Sequence, residues 1–270
     1  MRGASRVAFA EARDRLAGAV SDRDVAATIG DELFAVVGLL DQEPALRRAL
    51  ADSTAARSAR TGLVRDLFAG RVSPATLDLL TVLAGAHWSV PRDIADAAEE
   101  LAVLATAASA DSADQLDDVE DELFRFGRIA AGEPELITAL SSPRYPGEQK
   151  RGLLNTLLAG KVAPAALRLI TQAAINPRGR NLEANLADYA RLVAEWRQRL
   201  IAVVRVATPL DDRQRERLTA ALTAIYDRGI QLNVIVDPQV VGGMSVQIGD
   251  ELIDGTLSSR LAALRRRWAA

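Results

Sequence analysis

Ala69-Gly70-Arg71-Val72-Ser73-Pro74-Ala75-Thr76-Leu77 returns 90 residues later as Ala159-Gly160-Lys161-Val162-Ala163-Pro164-Ala165-Ala166-Leu167. Outward from this pair, Asp31-Glu32-Leu33-Phe34 recurs at the same offset as Asp121-Glu122-Leu123-Phe124. Pro44 to Leu50 likewise returns as Pro134 to Leu140. Aligned without a gap, residues 31–84 and 121–174 share 21 identities in 54 positions. Shared composition does not hold register over that length, so the first two thirds of the chain are a duplication.

Each copy reads as helices. Leu33, Val36, Val37 and Leu40 fall at i, i+3, i+4 and i+7, one apolar face of a helix. Pro44 and Pro134 sit where short helices start, because a first-turn proline gives up no intrahelical hydrogen bond. Gly70 and Gly160 end the next helix, and Pro74 and Pro164 open another. That helix carries Leu77, Leu80, Leu83 and Ala84 on one side in copy one, with Leu167 and Ile170 in the second. Asp121 already belongs to the second helix of copy two, which leaves little room for a first. Either the Ile94–Ala108 helix serves both bundles, or copy two lacks its own. The acidic residues at 111, 114, 117, 118 and 120–122 read as a solvated helix start. They lack the alternating ligands and central glycine of a calcium loop.

After Leu200 the period changes. Ile201 to Ala207 is a β-branched strand, and Thr208-Pro209 breaks it. Asp211 and Gln214 have the spacing of a capping box opening a helix with Leu218, Leu222 and Ile225 inward, ending at Gly229. Ile230 to Val234 alternates, Gly242-Gly243 turns the chain, and Met244, Val246 and Ile248 alternate again. Gly249-Asp250 suits a hairpin turn before Leu252 and Ile253. A last helix from Thr256 places Leu257, Leu261 and Leu264 on one face. The expected fold is mainly α with a small α+β C-terminal domain. Residues 1–108 and 109–199 form two tandem helical-bundle repeats, and 200–270 a β-α-β-hairpin-α domain.

Composition narrows the chemistry. The chain has no cysteine, which excludes disulfides, thiolate catalysis and Cys-ligated zinc. Its one histidine, His87, excludes a paired-histidine site and reads as a packed or surface residue. With 33 basic against 36 acidic residues, the charge gives no basic footprint for nucleic acid. Gly242-Gly243 has neither phosphate-loop spacing nor its Lys-Ser/Thr, so it reads as a backbone turn. Asp237 and Asp254 flank turns and suit local backbone bonding rather than acid/base work. Arg265 to Arg267 read as a solvated helix end or a contact for acidic surfaces. No apolar run is long enough to span a membrane, and Met1 to Val20 is charged throughout, so cytoplasmic synthesis without membrane insertion is expected. No enzyme site, cofactor, metal or small-molecule substrate is expected.

Val236-Asp237-Pro238-Gln239-Val240-Val241-Gly242-Gly243, followed by Val246 to Asp250 and Ile253-Asp254-Gly255-Thr256, resembles the C-terminal signature of the delta subunits of bacterial F-type ATP synthase. The mitochondrial counterpart of that family is the oligomycin-sensitivity-conferring protein. Val203 to Leu210 resembles the family's strand, Thr-Pro-Leu and helix opening, and Asn176-Pro177-Arg178-Gly179-Arg180 its turn before the last bundle helix. The resemblance runs from about Asp121 to the end, and the duplication extends it.

The resemblance implies a peripheral-stalk role at the cytoplasmic face of the cell membrane. A bundle grips the N-terminal helix of an alpha subunit, and the C-terminal domain grips the b subunit. In the family the alpha helix lies between the first and fifth bundle helices. Carried onto this chain, that groove takes Phe9, Ala12 and Leu16 with Leu77, Leu80 and Leu83 in copy one, and Leu167 and Ile170 in copy two. Copy one is expected to bind, and copy two more weakly or through a shared helix. Contact with b is expected from Val246, Ile248, Leu257, Leu261 and Leu264. A helical adaptor of another assembly is the alternative.

Overall fold

The computed structural model describes residues 1, 3–20, 22–197, 200–226, 230–237, 240, 242–248 and 251–254. It divides into two compact units, Met1–Trp196 and Arg197–Ala270. The division falls at Trp196–Arg197, just before β1 begins at Leu200.

The first unit is all helix. Copy one runs through α1 (Ala4–Ala19), α2 (Arg23–Gln42), α3 (Pro44–Ala51), α4 (Arg57–Phe68) and α5 (Pro74–Gly85) to α6 (Arg92–Asp111). Copy two continues with α7 (Leu116–Gly132), α8 (Pro134–Ser141), α9 (Gly147–Leu158), α10 (Pro164–Ile175) and α11 (Leu182–Arg197). The bounds of α3, α4 and α5 shifted by 90 are those of α8, α9 and α10. Local chemistry repeats with them. Pro44, Pro74, Pro134 and Pro164 each stand in a first helical turn. Gly70 and Gly160 take φ of 74° and 72° just past α4 and α9, a backbone state that a side chain resists.

The offset also settles the missing helix. Shifted by 90, α1 falls on α6, and α6 falls on α11. The inward residues of α1 are Ser5, Ala8, Ala12 and Leu16, and their counterparts Ala95, Ala98, Ala102 and Thr106 are all buried in α6. So α6 is the sixth helix of the first bundle and the first helix of the second. It touches α1, α2, α3, α5, α7 and α10. Every residue from Leu101 to Ala110 is buried, so α6 has no solvent face there. The alanines make this possible, since neighbours can come close only where side chains are small.

The tightest approach is by α2. A Cβ added to Gly30 would stand 2.7 Å from Thr106 Oγ1 and 3.3 Å from Ala102 O. Thr106 keeps its hydroxyl satisfied by donating to Ala102 O at 2.8 Å. One continuous apolar core therefore runs through both repeats, from Ala8 to Trp196.

The two copies are stitched internally by matching hydrogen bonds. Glu32 of α2 accepts from Ser73 N at 2.8 Å and Ser73 Oγ at 2.7 Å, just before α5. Glu122 of α7 accepts from Ala163 N at 2.8 Å, just before α10. At the other end of α5, buried Arg60 donates to Ala86 O at 2.6 Å, a cation at the negative end of a helix. Lys150 repeats this at α10, toward Ala174 O at 3.5 Å.

In the second unit the strand order is β2-β1-β3-β4, with β1 (Leu200–Val206), β2 (Ile230–Val236), β3 (Met244–Ile248) and β4 (Glu251–Asp254). Helix α12 (Asp212–Tyr226) joins β1 to its parallel neighbour β2, while β3 runs antiparallel to β1 and β4. The capping box forms: Gln214 N donates to Asp211 Oδ1 at 2.7 Å, and Asp211 N to Gln214 Oε1 at 3.0 Å. Val204, Val206, Val246 and Ile230 bury one sheet face with Leu222 of α12. Gly242 and Gly243 take φ of 73° and 81°, which explains the paired glycines at that turn. The Gly249-Asp250 turn, the end of the helix at Gly229 and the helix expected from Thr256 lie outside the described residues.

The close crossing gives a within-helix test. Gly30→Ala should cost about 1–3 kcal/mol in urea unfolding, because neither backbone nor Thr106 can withdraw freely. Gly38→Ala in the same helix meets nothing within 4 Å and should gain up to about 1 kcal/mol from propensity. Equal effects at the two positions would show that α2 does not rest on α6 as described.

Candidate partner-binding surfaces and the ionic hub behind them

The turn between α10 and α11 is where the two copies are locked. Arg178 has φ of 50°, a left-handed conformation uncommon outside glycine, and Gly179 follows at 79°. That geometry swings Arg178 inward, where its side chain is 3% exposed. Its guanidinium reaches Asp41 Oδ2 at 2.7 Å, Asp96 Oδ1 at 2.8 Å and Glu99 Oε2 at 2.6 Å. Asp41 ends α2, and Asp96 and Glu99 lie on α6, so one arginine of copy two clasps both main helices of copy one.

Glu99 is the centre of this hub and is 4% exposed. Besides Arg178 it accepts from Arg180 Nη2 at 2.6 Å and from Tyr189 Oη at 2.8 Å. A carboxylate stripped of water is costly, and here two guanidiniums and a phenol replace the lost hydration. Burial alone would lower the Arg178 pKa, but Glu99, Asp41 and Asp96 outweigh it and hold it above the ordinary value. Burial, with Glu99 beside it, pushes the Tyr189 phenol up, so it stays a donor. Further along, Trp196 Nε1 donates to Asp111 Oδ2 at 3.1 Å. Helix α11 is thereby tied to α6 at its middle, through Tyr189, and at its C-terminal end, through Trp196.

The residues read from sequence as alpha contacts divide by exposure. Ala12 and Leu16 are fully buried, as is Ile170, while Leu80 and Leu83 are 5% and 2% exposed. These side chains hold α1 against α5, and α10 against its neighbours, and so set the shape of any groove. Phe9, Leu77 and Leu167 are half-buried, with Phe9 and Leu77 packed on the core yet partly open. Arg15 of α1 and Asp78 of α5 pair across the outside of that seam, with side chains 59% and 44% exposed. For the b contact, Val246 lies in the core of the second unit, 4% exposed. Ile248 ends β3, and nothing is described of its side chain; Leu257, Leu261 and Leu264, like Arg265 to Arg267, lie outside the described residues. His87 is exposed.

Glu99 was not singled out by sequence. The available signal was a lone Glu99-Glu100 pair inside the alanine-rich run of α6, against two arginines in the Asn176 to Arg180 turn. Among the described residues no group of three His, Cys, Asp or Glu side chains is placed to hold a metal ion.

Sequence comparison bears on the same segments. A family model described as the ATP synthase delta (OSCP) subunit matches residues 102–267, beginning inside α6. The ATP synthase subunit delta of Thermobifida fusca (strain YX) is 50% identical over 269 residues, covering 100% of both chains. That of Streptomyces griseus is 46% identical over 270 residues, again covering 100% of both. That of Streptomyces avermitilis is 45% identical over 269 residues, 99% of this chain and 98% of its own.

Beside the hub, burial raises Glu100 from the ordinary 4.5 to about 7; Arg191 opposes the shift, while Asp96 and Glu195 add to it. The folded state therefore holds this proton more tightly than the unfolded state. The group's contribution is fully present below pH 4.5 and is lost as pH rises to about 7. Glu100→Gln should abolish this loss, so its stability advantage should grow across that window and level off above it. The gain is at most about 3 kcal/mol, reduced by whatever water reaches the carboxylate. Urea midpoints measured across that pH range check this. A constant difference between the two proteins would contradict it.

Proposed function

We propose that this chain, which belongs to the ATP synthase delta (OSCP) subunit family, holds the N-terminal helix of an alpha subunit in copy one and the b subunit in its C-terminal domain. It is a non-catalytic peripheral-stalk subunit of F-type ATP synthase, and it works by resisting rotation of the head while protons drive synthesis. Labour divides along the chain: repeat one at 1–108 takes alpha, repeat two at 109–199 braces it, and 200–270 takes b. The working place is the cytoplasmic face of the membrane, as a peripheral component. Among the described residues no helix is long and apolar enough to cross a membrane.

The observation that carries the choice of copy one is the position of α2. In copy two the first and fifth helices are α6 and α10, and α2 already lies against them. Gly30 meets Ala102 and Thr106 of α6, and Asp31 pairs with Arg168 of α10 at 3.3 Å. At the equivalent seam of copy one, Asp78 stands where Arg168 stands and pairs with Arg15 of α1, open to water. A partner helix can enter there without displacing part of the fold. An exposed pair such as Arg15–Asp78 contributes little, so exchanging it costs little. Two separate contacts in one chain also raise each other's effective concentration, which suits a tether under load.

Titration of the full chain with alpha and b peptides tests this. One alpha N-terminal peptide should bind. Leu77→Asp should weaken it about tenfold or more, and Leu167→Asp should leave it unchanged, with circular dichroism showing both variants folded. Residues 1–196 alone should keep the alpha peptide and lose the b peptide. Loss of alpha binding only in Leu167→Asp would move that site to copy two, and b binding by residues 1–196 would move the b site into the repeats.

A further inference from the structure

The duplication supplies a template for a contact that copy two leaves unmade. Within the repeated Asp-Glu-Leu-Phe motif, the inner two residues do the same work twice. Leu33 and Leu123 are both fully buried, and Glu32 and Glu122 both reach the start of the fifth helix. The outer two differ. Phe34 is 3% exposed, its ring 6.3 Å from that of Tyr189 on α11, and Asp31 pairs with Arg168 on α10 at 3.3 Å. Copy two thus covers copy one's motif with an aromatic ring and a cation, both carried on helices.

On α7 the same two residue types stand open. Phe124 is 62% exposed, and Asp121 pairs with Arg125 one turn along its own helix, both side chains more than half exposed. Arg128, also on α7, lies 6.0 Å from the centre of the Phe124 ring. Asp117, Asp118, Asp121, Phe124, Arg125 and Arg128 recur at i, i+3 and i+4 spacing and are all exposed, forming one outward stripe. Its first half is acidic and its middle is an aromatic ring.

We propose that this stripe of α7 docks a helix of another subunit, one presenting basic side chains to Asp117, Asp118 and Asp121 and a large apolar or aromatic side chain to Phe124. Charge complementarity sets the basic character of the partner, and the Phe34–Tyr189 pair sets the ring contact. A second copy of this chain is not the occupant. The surface that fits the motif is its own α10–α11 face, and Arg168 and Tyr189 there are already engaged by Asp31 and Phe34. The contact is additional to the alpha and b contacts and does not depend on which copy holds alpha.

The chain has no cysteine, so Phe124→Cys carries a single thiol. Labelled there with a benzophenone maleimide, returned to synthase stripped of this chain and irradiated, it should cross-link to a lysine- or arginine-bearing helix of another subunit. Attachment only to residues 197–270 of the same chain, to a second copy, or to nothing would overturn the proposal. Independently, Asp121→Arg combined with Phe124→Ala should speed release of the chain from the complex about tenfold, with circular dichroism unchanged. Charge reversal at the cross-linked basic residue should then slow release again in the Asp121→Arg single variant. Release at the native rate would equally overturn it.

Discussion

A helix that must be buried on every side cannot belong to one repeat. From Leu101 to Ala110, α6 has no residue left to face water, and helices of both repeats supply the cover. Removing either repeat would expose an alanine-rich surface on which Thr106 and Ser109 are the only polar side chains between Leu101 and Ala110. The area involved, at roughly 25 cal/mol per Å² of apolar surface, makes separation of the repeats expensive. The single continuous core, the close crossing at Gly30 and the hub around Glu99 all follow from that shared helix.

For a stalk component the consequence is mechanical. Two bundles joined by a linker would flex, whereas two bundles with a helix in common move as one body. The ionic hub adds direction to this apolar adhesion. Arg178 and Arg180 come from copy two, Glu99 and Asp96 from the shared helix, and Asp41 from copy one. Such a buried cluster contributes little net stability over an apolar substitute, but breaking it by removing one partner is costly. It therefore fixes register between the copies rather than merely gluing them.

Much of this was legible before the structure. The 90-residue offset, the helix-opening prolines, the glycines after α4 and α9, and the Asp211–Gln214 capping box are local signals with local causes, and local structure carries them. The shared helix was visible only as a shortage of room between Leu101 and Asp121. Deciding it required knowing that the burial pattern of α1 recurs in α6, where only alanines are kept: Ala8 and Ala12 return as Ala98 and Ala102, while Ser5 and Leu16 become Ala95 and Thr106, all buried. The hub was not legible, because Glu99 and Arg178 are 79 residues apart and only folding brings them together. The groove residues were half legible. Periodicity marks Leu16, Leu80 and Leu83 as apolar-face positions, but cannot tell a face turned to the core from one turned to a partner. Exposure separates them, leaving Phe9, Leu77 and Leu167 partly open.

The central claim is that the two repeats are one cooperative unit through α6, and native-state hydrogen exchange across residues 1–196 tests it most directly. Core amides of α2, α6 and α10 should share one opening free energy, equal to that of global unfolding of this unit, and respond together to denaturant. If α7 to α10 opened at lower free energy while α1 to α5 and all of α6 stayed protected, the repeats would be separate domains and the account would be wrong.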